Sequence, residues 1–438
     1  MAQNVIRLAL ALGVSAGACT LGEHANIADN WGFQAQTAAL AAPGTSKDAD
    51  KDTNIGAVPS ASLATSSICR KGTHRAGAAK YAICMPSGAW NRRLVVYAHG
   101  YTAPSDVTPP ALPLAGPDGV SIPDGFTARG YAFAASSFSD DGLAVLEGLA
   151  DSTDLVKVFR RELRQDPETT YVVGVSEGGL IAALAMEERD DEDDPAGVEN
   201  TVFDGGLALC GPIGSFRRQL DYFGDVRALF DYFFPHVLPG GPDRMPAQAL
   251  QQWDPRLLGP VLFNDFNSTW QLLKVAGVPI DPRYPVFSAI SAVGGVLWYN
   301  VFGIEDAKQK LGGAPYENLE RVYSGSANDF LLNAGIVRYE SDADDLSRYE
   351  TTGQLSGPLV TLHNTSDPIV PAWHEQAYGL KHADACEEPG ECGVLLQRHS
   401  TTYGHCRFSQ QEVADAFDSL VLAVEGKSRS RPRHAHRP

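Results

Sequence analysis

The chain is short of positive charge. Its 438 residues carry 35 Lys and Arg against 53 Asp and Glu, a formal net charge of −18. Nucleic acid and anionic membrane surfaces both demand local positive charge, so neither is expected as the main partner. Metal signatures are missing too: the acidic run Asp190-Asp191-Glu192-Asp193-Asp194 lacks the alternating ligands and glycine turn of a calcium loop and reads as a solvated loop. No glycine fingerprint for a dinucleotide or a phosphate occurs, so no metal and no cofactor is expected. There is no internal repeat, and beyond the N-terminus no segment reads as a membrane span. What remains, 44% apolar and 20% charged residues, is ordinary for a globular protein. The length suits one large α/β domain with an insertion, or two ordinary domains.

The N-terminus carries Arg7, the apolar run 8–14 and small residues up to Cys19, the parts of an export signal over residues 1–18. The apolar run is too short to span a bilayer. Two outcomes stand side by side: plain secretion, or acylation of Cys19 after Ala16-Gly17-Ala18, which would make a lipid anchor the chain's one link to a membrane. Residues 19–66, rich in Ala, Ser, Thr, Gly and Asp, read as a flexible spacer. Residues 427–438, basic and without apolar residues, read as a disordered tail. Six further cysteines form an even set in an exported chain and so suggest disulfides. Spacing couples Cys69 with Cys84 and Cys386 with Cys392. Elimination leaves Cys210 with Cys406, and buried free thiols are the alternative.

From Cys69 onward, short apolar runs alternate with helical stretches. Leu94-Val95-Val96-Tyr97-Ala98, Tyr131-Ala132-Phe133-Ala134-Ala135, Tyr171-Val172-Val173-Gly174-Val175, Leu207-Ala208-Leu209, Pro358-Leu359-Val360-Thr361-Leu362 and Val394-Leu395-Leu396 lack polar alternation. Strands buried on both faces look like this. Helices are expected over 154–164, 178–186 and 412–424. The fold class is therefore α/β, a doubly wound, mostly parallel sheet. Its core is expected in two parts, 67–214 and 355–426. Between them, 215–354 turns helical and aromatic: Leu220, Phe223, Val226, Phe230 and Phe233 recur near helical spacing, followed by Trp253, Phe263, Phe266, Trp270 and Trp298. This reads as an inserted helical cap whose aromatics are mostly core and in part the wall of a pocket.

Gly174-Val175-Ser176-Glu177-Gly178-Gly179 ends a buried strand and opens a helix. Gly-x-Ser-x-Gly in that setting is a nucleophile elbow, with glycines on both sides of a strained serine. The base expected for Ser176 is His405, after the last strand, because imidazole exchanges protons near neutral pH. His99 and His363, at strand ends, are its rivals. Asp367, after the penultimate strand, is the expected acid, with Asp204 as the alternative. The backbone N–H groups of Glu177 and Tyr101 are the expected donors to a carbonyl oxygen that gains charge.

Together these motifs resemble the α/β-hydrolase superfamily. Gly100-Tyr101-Thr102-Ala103 is similar to the oxyanion segment of bacterial cutinases and polyester hydrolases. His405-Cys406 resembles tannases and feruloyl esterases, which also place a Cys before the nucleophile where this chain has Val175. The resemblance implies a serine hydrolase acting on a small or polymeric ester. A peptidase or amidase of prolyl-oligopeptidase type is the alternative, and a binding protein without catalysis a third reading. Oligomeric state is not legible.

Overall fold

A computed structural model describes residues 67–105, 107–115, 120–188, 202–246, 255–344, 346–386 and 392–430, by backbone alone at 255–256 and 427–430. The expected signal, Cys19, the spacer, the acidic run 190–194, Trp253 and residues 431–438 lie outside them.

Eight strands build one sheet among the described residues: β1 (Ile68–His74), β2 (Ala79–Met85), β3 (Arg93–Ala98), β4 (Ala132–Ser136), β5 (Thr169–Val175), β6 (Gly205–Leu209), β7 (Leu359–Ser366) and β8 (Leu395–Tyr403). Their spatial order is β1-β2-β4-β3-β5-β6-β7-β8. β2 runs antiparallel to both neighbours, and every pair from β4 to β8 is parallel. This order, with its antiparallel edge, is the α/β-hydrolase fold.

The central strands are apolar throughout because the sheet is covered on both sides. Successive side chains point to opposite faces. Val95, Tyr97, Tyr171 and Val173 therefore share one core with Phe126 and Phe417, from α1 (Ile122–Thr127) and α10 (Gln410–Ser430). Leu94, Val96 and Val172 pack on the other side against Leu155 and Phe159 of α2 (Val145–Leu163) and Ala182 of α3 (Glu177–Leu184).

Between β6 and β7 the chain leaves the sheet through α4 (Phe216–Phe233), α5 (Pro255–Asn264), α6 (Phe266–Ala276), α7 (Pro285–Lys310) and α8 (Asp329–Gly335). These helices share a separate core that includes Val226, Phe230, Leu272 and Val293. α7 has the length and apolarity of a membrane span, but 61% of its most apolar window is buried, so that apolarity is used within the layer. Arg321 pairs with Asp221 and Asp225 of α4, and the Tyr323 hydroxyl donates to Asp225, tying the later loop to the first helix. α9 (Trp373–Ala385) follows β7.

Four elements differ from the sequence expectation. The hairpin β1–β2 was not among the expected strands: β1 reads ICRKGTH, with polar residues on the outer edge, so it offers no continuous apolar run. α2 begins at Val145, well before 154. Its first turns bury Val145 and Leu149, but also Gly148, Asp151, Ser152 and Thr153, which break the apolar stripe. α10 extends to Ser430, into the segment read as tail. The disulfides join Cys69 to Cys84, Cys210 to Cys406 and Cys386 to Cys392.

Candidate active site

The turn from β5 into α3 puts Ser176 at φ 57° and ψ −120°, a strained left-handed backbone for a residue with a Cβ. Its neighbours show why the turn needs glycine. A Cβ on Gly174 would lie 1.7 Å from the Gly178 carbonyl oxygen, and one on Gly178 would lie 2.1 Å from that of Ala98. The Ser176 N–H donates to the Leu209 carbonyl at 2.8 Å, anchoring the turn to the end of β6.

His405 follows β8 and is buried. Its Nε2 lies 2.8 Å from Ser176 Oγ and its Nδ1 2.7 Å from Asp367 Oδ2. Asp367 is fully buried after β7, and its other oxygen accepts from the N–H groups of Ile369 at 2.8 Å and Val370 at 3.0 Å. With the carboxylate on Nδ1, that nitrogen carries the proton and Nε2 is free to accept one from the serine. Residues distant in sequence thus form one hydrogen-bonded chain.

Two further anchors hold this arrangement. The Tyr222 hydroxyl donates to the Pro368 carbonyl at 2.7 Å, and Gln219 Nε2 donates to that of Ile369 at 2.9 Å, so α4 grips the loop that carries Asp367. Gly214 N–H donates to His374 Nδ1, which leaves His374 Nε2 to donate to Gln219 Oε1 at 2.8 Å. The Cys210–Cys406 bond joins the end of β6 to the residue after His405. Cys210, His405 and Cys406 lie close together, but the two sulfurs are bonded to each other, so neither is a free thiolate ligand for a metal.

The rival residues have other partners. Asp204 Oδ2 accepts from the Thr170 N–H at 2.7 Å. His99 stacks on Phe138, with ring centroids 3.9 Å apart, and its Nδ1 donates to the Gly100 carbonyl at 2.8 Å. Burial lowers its pKa and keeps it neutral. His363 lies behind Asp367: its Nε2 donates to the Val370 carbonyl at 2.8 Å, and its Nδ1 is 3.5 Å from Glu375 Oε1. Burial works against its cation, but Glu375 and then Asp367 outweigh it and raise the pKa.

Ser176 opens into an apolar cavity of about 100 Å³ between sheet and helical layer. Leu220, Phe223 and Ile304 line it from the helices, and Leu143, Val145 and Leu180 from the core. Of the aromatics singled out in the sequence, Phe223 faces this space, Phe230 is buried among the helices, and Phe263 and Trp270 are exposed on the outside. The N–H groups of Tyr101 and Glu177 donate to no acceptor among the described residues.

Sequence reasoning missed the side chains of Glu177 and Asn300, which also line the cavity. Glu177 Oε1 accepts from the Ala144 N–H at 2.9 Å. Burial pushes its pKa to about 8; the Ala144 bond and Lys310 oppose this, while Asp306 and Glu147 add to it. The available signal for Asn300 was an amide inside the otherwise apolar run 292–304.

No family model matches the chain, and no curated protein matches it. Similar solved structures include an acylaminoacyl peptidase from Pyrococcus horikoshii, 11% identical with a TM-score of 0.40. The likeness covers 82% of this chain but 41% of that one, so the chain spans about two fifths of the peptidase's length. An esterase from Aspergillus oryzae is 12% identical over 82% of this chain and 80% of its own, with a TM-score of 0.46. An esterase from Pyrococcus furiosus is 12% identical over 88% and 99%, with a TM-score of 0.39.

Proposed function

We propose that the protein is an exported serine hydrolase that cleaves carboxylic esters through an acyl-enzyme on Ser176. The observation that carries this reading is the His405 ring, set between Ser176 Oγ at 2.8 Å and Asp367 Oδ2 at 2.7 Å. Ser176 Oγ attacks the ester carbonyl as its proton passes to His405 Nε2. The carbonyl oxygen gains charge against the N–H groups of Tyr101 and Glu177. The carbon–oxygen bond to the alcohol breaks as Nε2 returns the proton to it. Water then gives a proton to Nε2 and attacks the acyl carbon, and Ser176 leaves with that proton, freeing the acid. Asp367 holds the ring tautomer and balances the imidazolium.

The cavity supports a short acyl or alcohol group, since about 100 Å³ is below the ~150 Å³ of an engineered apolar cavity that holds benzene. Three disulfides support an oxidising compartment. Acylation of Cys19 would add an anchor to the same reading.

A fluorophosphonate probe is expected to label the protein at Ser176, and Ser176→Ala to abolish both labelling and turnover. Hydrolysis of p-nitrophenyl esters should exceed that of matched p-nitroanilides. Preference for the anilides would make it a peptidase or amidase, and an unlabelled Ser176 would sink both readings in favour of a binding protein.

A further inference from the structure

The cavity beside Ser176 has apolar walls, yet three polar groups in it have bonding capacity to spare. Asn300 is 3% exposed, and its Nδ2 donates to the Pro242 carbonyl at 3.0 Å. A carbonyl only accepts, so the amide orientation is settled and Oδ1, which has no partner, is an acceptor. The buried Tyr101 hydroxyl is also unpartnered; it lies above Gly303, one helical turn from Asn300 on α7, 3.4 Å from where a Cβ would stand. Glu177 has one oxygen on the Ala144 N–H and the other without a partner among the described residues. Gln219, the remaining amide in the lining, is bonded at both ends. Buried polar groups are normally paired, so the Asn300 and Tyr101 atoms, beside Glu177, point to a ligand that completes them.

What they offer is mainly acceptors: Asn300 Oδ1 only accepts, Glu177 accepts at both oxygens once ionised, and the Tyr101 hydroxyl can do either. Among the described residues, Lys310 is the cation that acts on Glu177, and it is committed to Asp140 and Asp306, each at 3.1 Å, and to the Asp141 carbonyl. Asp306 also accepts from the Leu143 N–H at 2.7 Å. Asp306 and Glu147 stand beside Glu177, and their charge disfavours an anion there. A hydroxyl brings one donor, whereas an ammonium brings three. Aromatic rings stand in the same lining: Phe223 and Tyr299 stack 5.2 Å apart at 4°, and Tyr101 meets Tyr299 edge to face.

We propose that this cavity is a subsite for a primary ammonium group carried by the substrate, received by Glu177, Tyr101 and Asn300. The assignment rests on the hydrolase reading only for the words "carried by the substrate". Recognition of the cation itself is independent of turnover.

The test is calorimetric titration of the full chain with n-butylammonium chloride and with 1-butanol, at matched ionic strength. At pH 9 the amine is expected to bind at least tenfold more tightly. The preference should shrink at pH 6, where Glu177 is protonated, and fall at least fivefold in Glu177→Gln and in Asn300→Ser. In the wild type, butylammonium should also compete with p-nitrophenyl acetate. Equal binding of amine and alcohol, no amine binding, or a preference that survives both substitutions overturns the subsite. Cleavage of the ester without amine preference leaves the hydrolase standing and the subsite refuted. Amine binding by a protein whose Ser176 takes no fluorophosphonate has the opposite meaning, as does amine binding that does not compete with ester being cleaved: the cation site stands and its link to the substrate fails.

Discussion

Glu177 follows the serine by one residue and is buried where a carboxylate is poorly solvated, which raises its pKa to about 8 against an ordinary 4.5. That shift has a sign for stability. Below pH 4.5 the group is protonated in folded and unfolded chains alike, and contributes nothing. Between 4.5 and 8 the unfolded chain releases the proton while the folded one holds it, so stability falls as pH rises; above 8 the loss is constant. Glu177→Gln removes this dependence. In thermal unfolding followed by circular dichroism, the variant is expected to gain on the wild type between pH 5 and pH 8.5, by on the order of 2–4 kcal/mol. A gap that stays flat with pH would mean the carboxyl is not held neutral. At this scale the sequence displayed the serine elbow by its glycines, but it marked Glu177 only for its backbone N–H. Its importance comes from burial under other elements, to which Asp306 and Glu147 add.

α4 shows how an element outside the sheet positions chemistry within it. The hydroxyl of Tyr222 and the amide of Gln219 hold the backbone on either side of the bend after Asp367. Tyr222→Phe removes one hydrogen bond while keeping the ring, a loss of about 1 kcal/mol in stability. If α4 sets the acid loop, kcat on a p-nitrophenyl ester should drop several-fold with KM little changed; a change in KM alone would assign Tyr222 to the pocket instead. The apolar periodicity of α4 was legible because it follows from burial of one helix face. Which loop its polar face would hold was not, since Tyr222 and Pro368 are 146 residues apart in the chain. β1 escaped for the converse reason: an edge strand needs only half its residues apolar.

Across the whole molecule, the Cys210–Cys406 bond closes a loop with a sequence separation of 196 that encloses the helical layer, β7, α9 and β8. Loop-closure entropy grows with length, so this bond should stabilise the fold by roughly 5 kcal/mol, against about 3 kcal/mol for the separation of 15 closed by Cys69–Cys84. Paired Cys→Ser substitution at 210 and 406 is expected to lower the unfolding midpoint more than the same change at 69 and 84, and also to lower kcat, because Cys406 adjoins His405. Equal losses, with activity intact, would show that the bond neither restrains the histidine nor dominates the staple set.

Some properties of this chain follow from neighbours in sequence, and the residues alone determined those: the two-faced burial of the central strands, the elbow that only glycine can line, and the even set of cysteines suited to an oxidising compartment. Others depend on atoms brought together from remote segments. The 2.8 Å and 2.7 Å contacts of His405, the short apolar cavity and its unpaired acceptors exist only once the helical layer closes over the carboxyl edge of the sheet. Hydrogen bonding and desolvation act over a few ångströms, and tertiary folding alone brings residues 101, 177 and 300 within that range of one cavity.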